Sequence, residues 1–412
     1  MTDHFCPRPE DLQGMRVGPL APHTESFAAL ISQQGYCRTN GWQKVELVAD
    51  LSRWLERRCI RLKQLDEQQI AAFFQARWRR VSHRSGDQAT MSLLLRHLRQ
   101  SQAIPVPSPA AGSEIDLVEL DYGNFLLQER ALMPVSVEQY VPVARRFLSY
   151  RFRSGKVRLK KLRAKDVTDF VLHDSSNRGR RSAQLMTTVL RSFLGFLFQR
   201  GRISTNLTAA VPTVAGWRLS ELPRFLEPDQ VEKVLRSCDR RKKVGKRDYA
   251  ILLLLARLGL RAGEVAYLTL EDINWQAGEL QIRGKGARVD RLPLLQDVGQ
   301  ALVDYLQKGR PDCSSRRVFL QCKAPYVGFS SPPNAICGIV RSALERAKVH
   351  SRHHGAHVLR HSLATRMLGN GASLAQIGQV LRHQLTQTTE IYAKVDLNAL
   401  RALALPWLGG VR

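Results

Sequence analysis

The chain has 412 residues, of which 63 are Lys or Arg and 36 are Asp or Glu, so its formal net charge at pH 7 is +27. With 44% hydrophobic residues it is too apolar for a disordered basic tail. Its basic residues are mostly Arg, which suits bidentate contacts to phosphate. Nucleic acid is therefore the leading partner class, and an anionic membrane surface is the second.

The sequence also argues against secretion and membrane insertion. The first residues show no basic stretch followed by an apolar one, and the most apolar run, Ala250–Ala256, is too short to span a membrane. The seven cysteines are scattered without a C-x-x-C pair, which is typical of reduced thiols. We therefore expect a cytoplasmic protein with no membrane partner.

Two linker-like stretches predict three domains. Residues 105–114 (PVPSPAAGSE) and residues 212–223 are rich in Pro and small residues and interrupt helical patterns. The expected domains are 1–110, 116–212 and 223–412. The third carries 30 basic and 16 acidic residues, a net +14, so about half of the excess charge belongs to it.

The first two domains look like copies of one helical unit. Ile60–Leu65 (IRLKQL) and Val157–Leu162 (VRLKKL) lie 97 positions apart, and Phe73 and Phe170 keep that spacing. Apolar residues at helical intervals predict about four amphipathic helices in each copy. The alternative is that helical bundles resemble one another by composition alone. If the first copy is real, it could bind accessory DNA, extend a clamp or contact another protein of the same kind.

The third domain begins with helical patterns and then changes character. Helices are predicted at Glu227–Leu235 and Asp248–Gly259. Two short strand-like segments, Glu279–Arg283 and Val289–Leu294, flank a Gly-rich turn at 284–288, which predicts a β-hairpin. The fold class is therefore mainly α with a small antiparallel sheet, an α+β domain preceded by helical domains.

Six polar residues of the third domain form the candidate site. Taken singly each has an ordinary explanation, such as a helix cap, a turn decoration or a half-buried tyrosine. Together they supply several cationic or hydrogen-bonding groups and one hydroxyl nucleophile. They are Arg261, Lys285, His357, Arg360, His383 and Tyr392.

The order and flanks of these residues resemble the tyrosine recombinase (phage integrase) family. The resemblance covers the whole third domain. The matching motifs are G-L-R-x-x-E at Arg261 and Glu264, G-K-G at Lys285, H-x-L-R-H at His357–His361, L-x-H at His383 and T-x-x-Y at Tyr392.

The resemblance implies a reaction and a role for each residue. Tyr392 would attack a DNA phosphodiester and form a 3′-phosphotyrosine with release of a 5′-hydroxyl. Arg261, Arg360, His357 and His383 would stabilise the charged transition state. His357 could also assist deprotonation of Tyr392, and Lys285 would be the general acid. Glu264 and His361 are expected to play supporting roles.

The family also implies how the protein works as a whole. We expect a site-specific recombinase or integrase of a mobile element, acting on double-stranded DNA as a homotetramer on two sites, with or without companion recombinases. Domain 116–212 would be a SAM-like core-binding domain that forms a C-shaped clamp with domain 223–412. No cofactor and no metal are expected. The alternatives are a type IB topoisomerase that relaxes DNA and a non-catalytic DNA-binding regulator of the same fold.

Two further features have competing interpretations. Five histidines between His350 and His361 lie near Cys337 in the sequence and suggest zinc, but no cysteine pair has ligand spacing. After Tyr392, Leu397, Leu400 and Leu403 predict a short amphipathic helix. That helix could pack on its own domain or, as the family suggests, dock into a neighbouring protomer.

Overall fold

The computed structural model describes residues 5, 17–79, 81–82, 84, 86–106, 113–152, 156–176, 178–214, 224–284, 289–329, 332–351 and 353–395. The predicted helix after Tyr392 and the tip of the hairpin lie outside these residues. The chain forms two compact units, one made of Met1–Val106 with Glu221–Arg412, the other of Pro107–Ser220. Among the described residues, no helix has the length and apolar character needed to cross a membrane.

The N-terminal part of the first unit is a helical bundle. Its core includes Phe27, Leu51 and Leu94, all fully buried. A 3₁₀ turn at Leu62–Gln64 separates the second helix from the third. The helices are α1 (Ala21–Gln33), α2 (Arg38–Arg57), α3 (Glu67–Arg77) and α4 (Asp87–Gln100).

The second unit repeats this order of elements. A π-helical turn at Phe125–Glu129 extends its first helix, and a 3₁₀ turn at Leu159–Lys161 again separates the second helix from the third. Its core includes Phe147, Leu190 and Phe193. The helices are α5 (Glu114–Asn124), α6 (Pro134–Arg151), α7 (Ala164–Ser175) and α8 (Arg180–Gln199).

The two bundles also share an aromatic pair in the core. The rings of Trp54 and Phe73 lie 5.8 Å apart at 68°, and those of Phe147 and Phe170 lie 5.3 Å apart at 70°. Both are edge-to-face contacts between the second helix and the third. Buried apolar residues keep the 97-residue spacing, as in Leu65 with Leu162 and Ile70 with Val167. The sequence similarity therefore corresponds to similar packing.

The C-terminal part of the first unit combines helices with one small sheet. The strand order is β1-β2-β3, all antiparallel, with Leu280 opposite both Ile273 and Leu292. The helices are α9 (Pro228–Arg236), α10 (Lys243–Arg257), α11 (Ala262–Tyr267), α12 (Gln296–Lys308), α13 (Pro332–Arg346), α14 (His357–Gly369) and α15 (Leu374–Val380). The strands are β1 (Ile273–Asn274), β2 (Glu279–Arg283) and β3 (Val289–Pro293).

The predicted fold class, mainly α with a small antiparallel sheet, is confirmed. Both predicted strands form, and the second ends one residue earlier than expected. The sequence did not predict β1, because two residues are too few for an alternating pattern.

Helix α10 is the central element of this part of the chain. Ala250–Ala256 is buried on every side, as expected of a helix that is apolar all round. It packs against α9, α12, α13 and α14. Its C-terminal end is therefore held firmly at the place where the candidate site begins.

The burial of α10 predicts a large cost for a core truncation. Leu254 is fully buried, so Leu254→Ala should reduce the free energy of unfolding by about 2–5 kcal/mol through lost burial and a residual cavity. Val244 on the same helix is 43% exposed, and Val244→Ala should change it by no more than about 0.5 kcal/mol. Urea denaturation of the two variants compares them, and equal midpoints would contradict this description of the core.

Candidate active site

The site begins at Gly259, two residues after α10 ends at Arg257. This glycine has φ +59°, and a Cβ atom there would lie 2.7 Å from Leu381 Cδ2. A side chain would therefore be strained and would also clash with the segment that follows α15. The close approach lets the Gly259 carbonyl accept a hydrogen bond from Arg360 Nη1.

Arg261 caps the short helix α11 together with Glu264. The Arg261 backbone N–H donates to Glu264 Oε2 at 2.8 Å, which is half of a capping box. The Arg261 guanidinium donates to Glu264 Oε1 at 2.7 Å and remains 40% exposed. Glu264 thus fixes both the backbone and the side chain of Arg261.

A third arginine, Arg382, completes this cluster. Its Nη2 donates to Glu264 Oε2 at 2.8 Å, and its backbone carbonyl accepts from Arg261 Nη2 at 3.4 Å. Burial would raise the pKa of Glu264, but Arg382 and then Arg261 hold it below its ordinary value. Sequence reasoning missed Arg382, although it is the unspecified residue of the L-x-H motif.

Arg360 lies in the interior of the protein, next to the cluster of Arg261, Glu264 and Arg382. It is 4% exposed on α14, and its guanidinium donates to the carbonyls of Gly259 and Leu381. Burial, together with Arg261 and Arg382, lowers the pKa of Arg360 to about 10. The side chain therefore ties the ends of α10 and α15 together and places positive charge at their junction.

Tyr392 is held by the histidine that follows Arg360. Its Oη lies 2.8 Å from His361 Nδ1, and the residue is only 1% exposed. Burial raises the pKa of Tyr392 to about 12, whereas Arg360 opposes the rise. Burial, His357 and Arg360 lower the pKa of His361 to about 4, so the ring is neutral at pH 7 and one of its nitrogens can accept a hydrogen bond.

His383 is oriented by a buried threonine. Its Nδ1 lies 2.7 Å from Thr389 Oγ1, and Thr389 is 1% exposed. Burial, Arg360 and Arg261 lower the pKa of His383 to about 4. Thr389 is the threonine of the T-x-x-Y motif, so the contact joins that motif to the L-x-H motif.

The remaining sequence-predicted residues are His357 and Lys285. His357 is exposed at the start of α14, with its ring centroid 6.2 Å from that of His361. Lys285 lies outside the described residues, between β2 and β3. Hydrogen bonds join Arg261 to Glu264 and His361 to Tyr392, and the charge of Arg360 acts on His361, His383 and Tyr392. Of the eight candidates, the structure therefore brings these six close enough to interact.

Among the residues that the structure describes, no group of three or more His, Cys, Asp or Glu side chains is arranged so that it could hold a metal ion. The cluster instead presents guanidinium groups and neutral histidines around one hydroxyl. An arrangement of this kind suits an anion such as a phosphodiester, because guanidinium groups match its oxygens with paired donors.

Comparison with known proteins identifies the family. The model of the phage integrase family matches residues 224–398, which include every candidate site residue. A protein of Sinorhizobium fredii (strain NBRC 101917 / NGR234) named "Putative integrase/recombinase y4rA" is 44% identical over 394 residues, 95% of each chain. The chain belongs to the phage integrase family. It is a tyrosine-type site-specific DNA recombinase, as the motifs predicted.

Other members of the integrase family agree with this assignment. Tyrosine recombinase XerD of Listeria monocytogenes serotype 4b (strain F2365) is 30% identical over 288 residues, 68% of this chain and 94% of that protein. The crystal structure of XerH recombinase bound to palindromic difH substrate covers 88% of this chain and 96% of its own, with a TM-score of 0.54 and 17% identity. At that identity the structural likeness supports the fold.

The low pKa values of the two histidines predict acid lability of this recombinase. Unfolded His titrates near pH 6.5, whereas folded His361 and His383 titrate near 4. Between these values the unfolded chain binds more protons, so this stability is fully present above about pH 6.5 and is lost as the pH falls toward 4.

Replacing His361 should remove part of this pH dependence. The free energy of unfolding of the parent should fall when the pH is lowered from 7 to 5. In His361→Gln this fall should be smaller by about 1–2 kcal/mol, as measured by urea denaturation at both pH values. His354→Gln, at an exposed histidine, is the control and should behave like the parent. An unchanged pH slope in His361→Gln would contradict the burial of a neutral His361.

Proposed function

We propose that Tyr392 is the nucleophile of this recombinase and that Arg261, Arg360 and His383 bind the scissile phosphate. The observation that carries the proposal is the contact of the Tyr392 hydroxyl with neutral His361 beside the buried Arg360 guanidinium. A tyrosine with a raised pKa needs a proton acceptor to become a nucleophile, and His361 is in contact with it.

The step is a transesterification that conserves one phosphodiester bond. Tyr392 Oη bonds to phosphorus while the bond from phosphorus to the 5′-oxygen breaks, and the hydroxyl proton passes to a histidine. We assign this acceptor role to His361, with His357 as the second candidate from the sequence. The leaving 5′-oxygen takes a proton from Lys285, which the G-K-G motif supports. Attack by another 5′-hydroxyl reverses the step and joins new strands, without an external energy source.

The arginines would act where charge develops. The exposed part of the Arg261 guanidinium is free to contact a phosphate oxygen while Glu264 holds its other edge. Arg360 supplies a second positive charge from its buried position on α14. A bound phosphodiester would stabilise protonated His361 and His383, reversing the effect of the neighbouring cations. Such preorganised groups stabilise a phosphorane without costly rearrangement.

Covalent trapping tests the nucleophile. The substrate is a duplex with a nick near the scissile phosphate, so that cleavage releases a short fragment carrying the 5′-hydroxyl, which then dissociates. The wild-type protein should therefore accumulate a protein–DNA adduct, seen by denaturing gel electrophoresis. Tyr392→Phe should give no adduct above background. The matched control is Tyr267→Phe, a 40% exposed tyrosine of the same part of the chain, which should keep wild-type yield. An adduct that persists in Tyr392→Phe would sink the assignment.

We infer that the DNA-bound form is a multimer on two duplex sites. Solved structures that share this fold include a lambda integrase dimer bound to a COC′ core site, at a TM-score of 0.50, and a lambda integrase tetramer bound to a Holliday junction, also at 0.50. We propose that this multimer is a homotetramer in which domains 116–212 and 223–412 of each chain form a clamp. We also propose that it serves a mobile element and acts in the cytoplasm. Companion recombinases stay a prediction.

We also propose that residues 1–110 are a duplicate of the core-binding domain that has lost part of its phosphate-binding charge. The shared element order and aromatic pair support the duplication. Around the second 3₁₀ turn, residues 158–165 carry five basic residues and no acidic one, whereas the matching residues 61–68 carry Arg61 and Lys63 with Asp66 and Glu67. The second copy is therefore the stronger candidate for binding the DNA phosphate backbone.

The salt dependence of DNA binding separates the two copies. The side chains of Lys160, Lys161 and Lys165 are exposed and form no ion pair with any described residue. Replacing the three with Gln should reduce the slope of log Kd against log salt by about 2–3. Replacing Arg61 and Lys63 with Gln is the matched control and should change that slope by less than about 1. A larger effect in the first copy would assign the phosphate contacts there instead.

A further inference from the structure

We propose that Arg382 is a positioning residue that aligns Arg261 with the catalytic hairpin through Glu264 and Asp290. This inference rests on the proposed catalytic role of Arg261 and Lys285. It concerns a residue outside the six predicted from the motifs. The residue lies between Leu381, whose carbonyl holds Arg360, and the proposed phosphate ligand His383.

The first connection of Arg382 is to Arg261. Arg382 Nη2 and Arg261 Nη1 donate to different oxygens of the same carboxylate, that of Glu264, at 2.8 and 2.7 Å. The side chains of Arg382 and Glu264 are 5% and 6% exposed, so water screens their ion pair little. Glu264 is thereby shared between two cations, and its hold on Arg261 depends on Arg382.

The second connection of Arg382 is to the hairpin. Its Nε lies 3.9 Å from Asp290 Oδ2, and this buried nitrogen has no hydrogen-bond partner among the described residues. Asp290 lies on β3 opposite Ile282 of β2, five residues after Lys285. Arg382 therefore links the strands that carry the hairpin tip to the cluster around Glu264.

The backbone of Arg382 indicates that the side chain is needed. Its φ is +55°, a left-handed conformation that glycine adopts freely and other residues adopt at a cost. A buried arginine at such a position has two unfavourable features, backbone strain and desolvation, which its charged contacts help to offset. The contacts run to two elements of the site, so their loss should disturb the chemistry more than the fold.

The consequence of removing Arg382 follows from the charges. Glu264 would keep only Arg261 as an ion-pair partner and would pull the exposed part of that guanidinium away from the phosphate. The hairpin would lose its link through Asp290. A displacement of about 1 Å in a catalytic group can reduce a rate by about 100-fold. DNA affinity, which depends on many phosphate contacts, should change little.

The experiment measures the rate of adduct formation on the nicked duplex at saturating protein, together with DNA affinity, for wild type and variants. Arg382→Gly relieves the strained backbone but removes the charge, and we expect a rate at least 10-fold lower at unchanged Kd. Arg382→Lys should recover part of the rate, because one ion pair can re-form. Lys348→Gly is the matched control: Lys348 is exposed at φ +54°, and its replacement should leave the rate unchanged.

A double-mutant cycle separates positioning from simple stabilisation. If Arg382 acts through Glu264, the rate losses of Arg382→Gly and Glu264→Gln should be clearly less than multiplicative when combined. Asp290→Asn should also slow adduct formation, which tests the hairpin link even if Arg382→Gly folds poorly. Wild-type rates in Arg382→Gly or Asp290→Asn, or fully multiplicative losses with Glu264→Gln, would overturn the proposal. Failure of the nucleophile assignment would instead appear as an adduct in Tyr392→Phe.

Discussion

The site depends on one buried carboxylate that balances neighbouring guanidinium groups. Arg261, Arg360 and Arg382 are close enough for the first and third to lower the pKa of the second, and Glu264 opposes that effect. Without Glu264 the cations would repel one another in a poorly solvated region. With it, the cluster keeps a surplus of positive charge that a phosphodiester can neutralise, so the protein is prepared for an anion before DNA binds.

The fold supplies this cluster through helix ends rather than through one rigid element. The end of α10, the start of α11, the interior face of α14 and the turn after α15 each contribute a side chain or a carbonyl. The arrangement also keeps the proposed nucleophile covered, because Tyr392 is 1% exposed and lies against His361.

Motif and periodicity arguments recovered the family, the helical character and the hairpin because each depends on local residue patterns. They named Arg261, Arg360, His383 and Tyr392 as candidates for the site but could not give their contacts. Arg382 was missed because a buried arginine in a left-handed conformation leaves no periodic signal, and Thr389 because its role depends on His383. The likeness of the two N-terminal bundles was visible in two hexapeptides, and the matching aromatic pairs add support that sequence could not provide.

The central claim is that the guanidinium cluster serves a single nucleophile, the hydroxyl of Tyr392. The most direct test is mass spectrometric mapping of the covalent protein–DNA adduct trapped on a nicked duplex and digested with protease and nuclease. We predict a nucleotide remnant on the peptide that contains Tyr392, linked to a 3′-phosphate. A remnant on any other residue, or one linked through a 5′-phosphate, would contradict it.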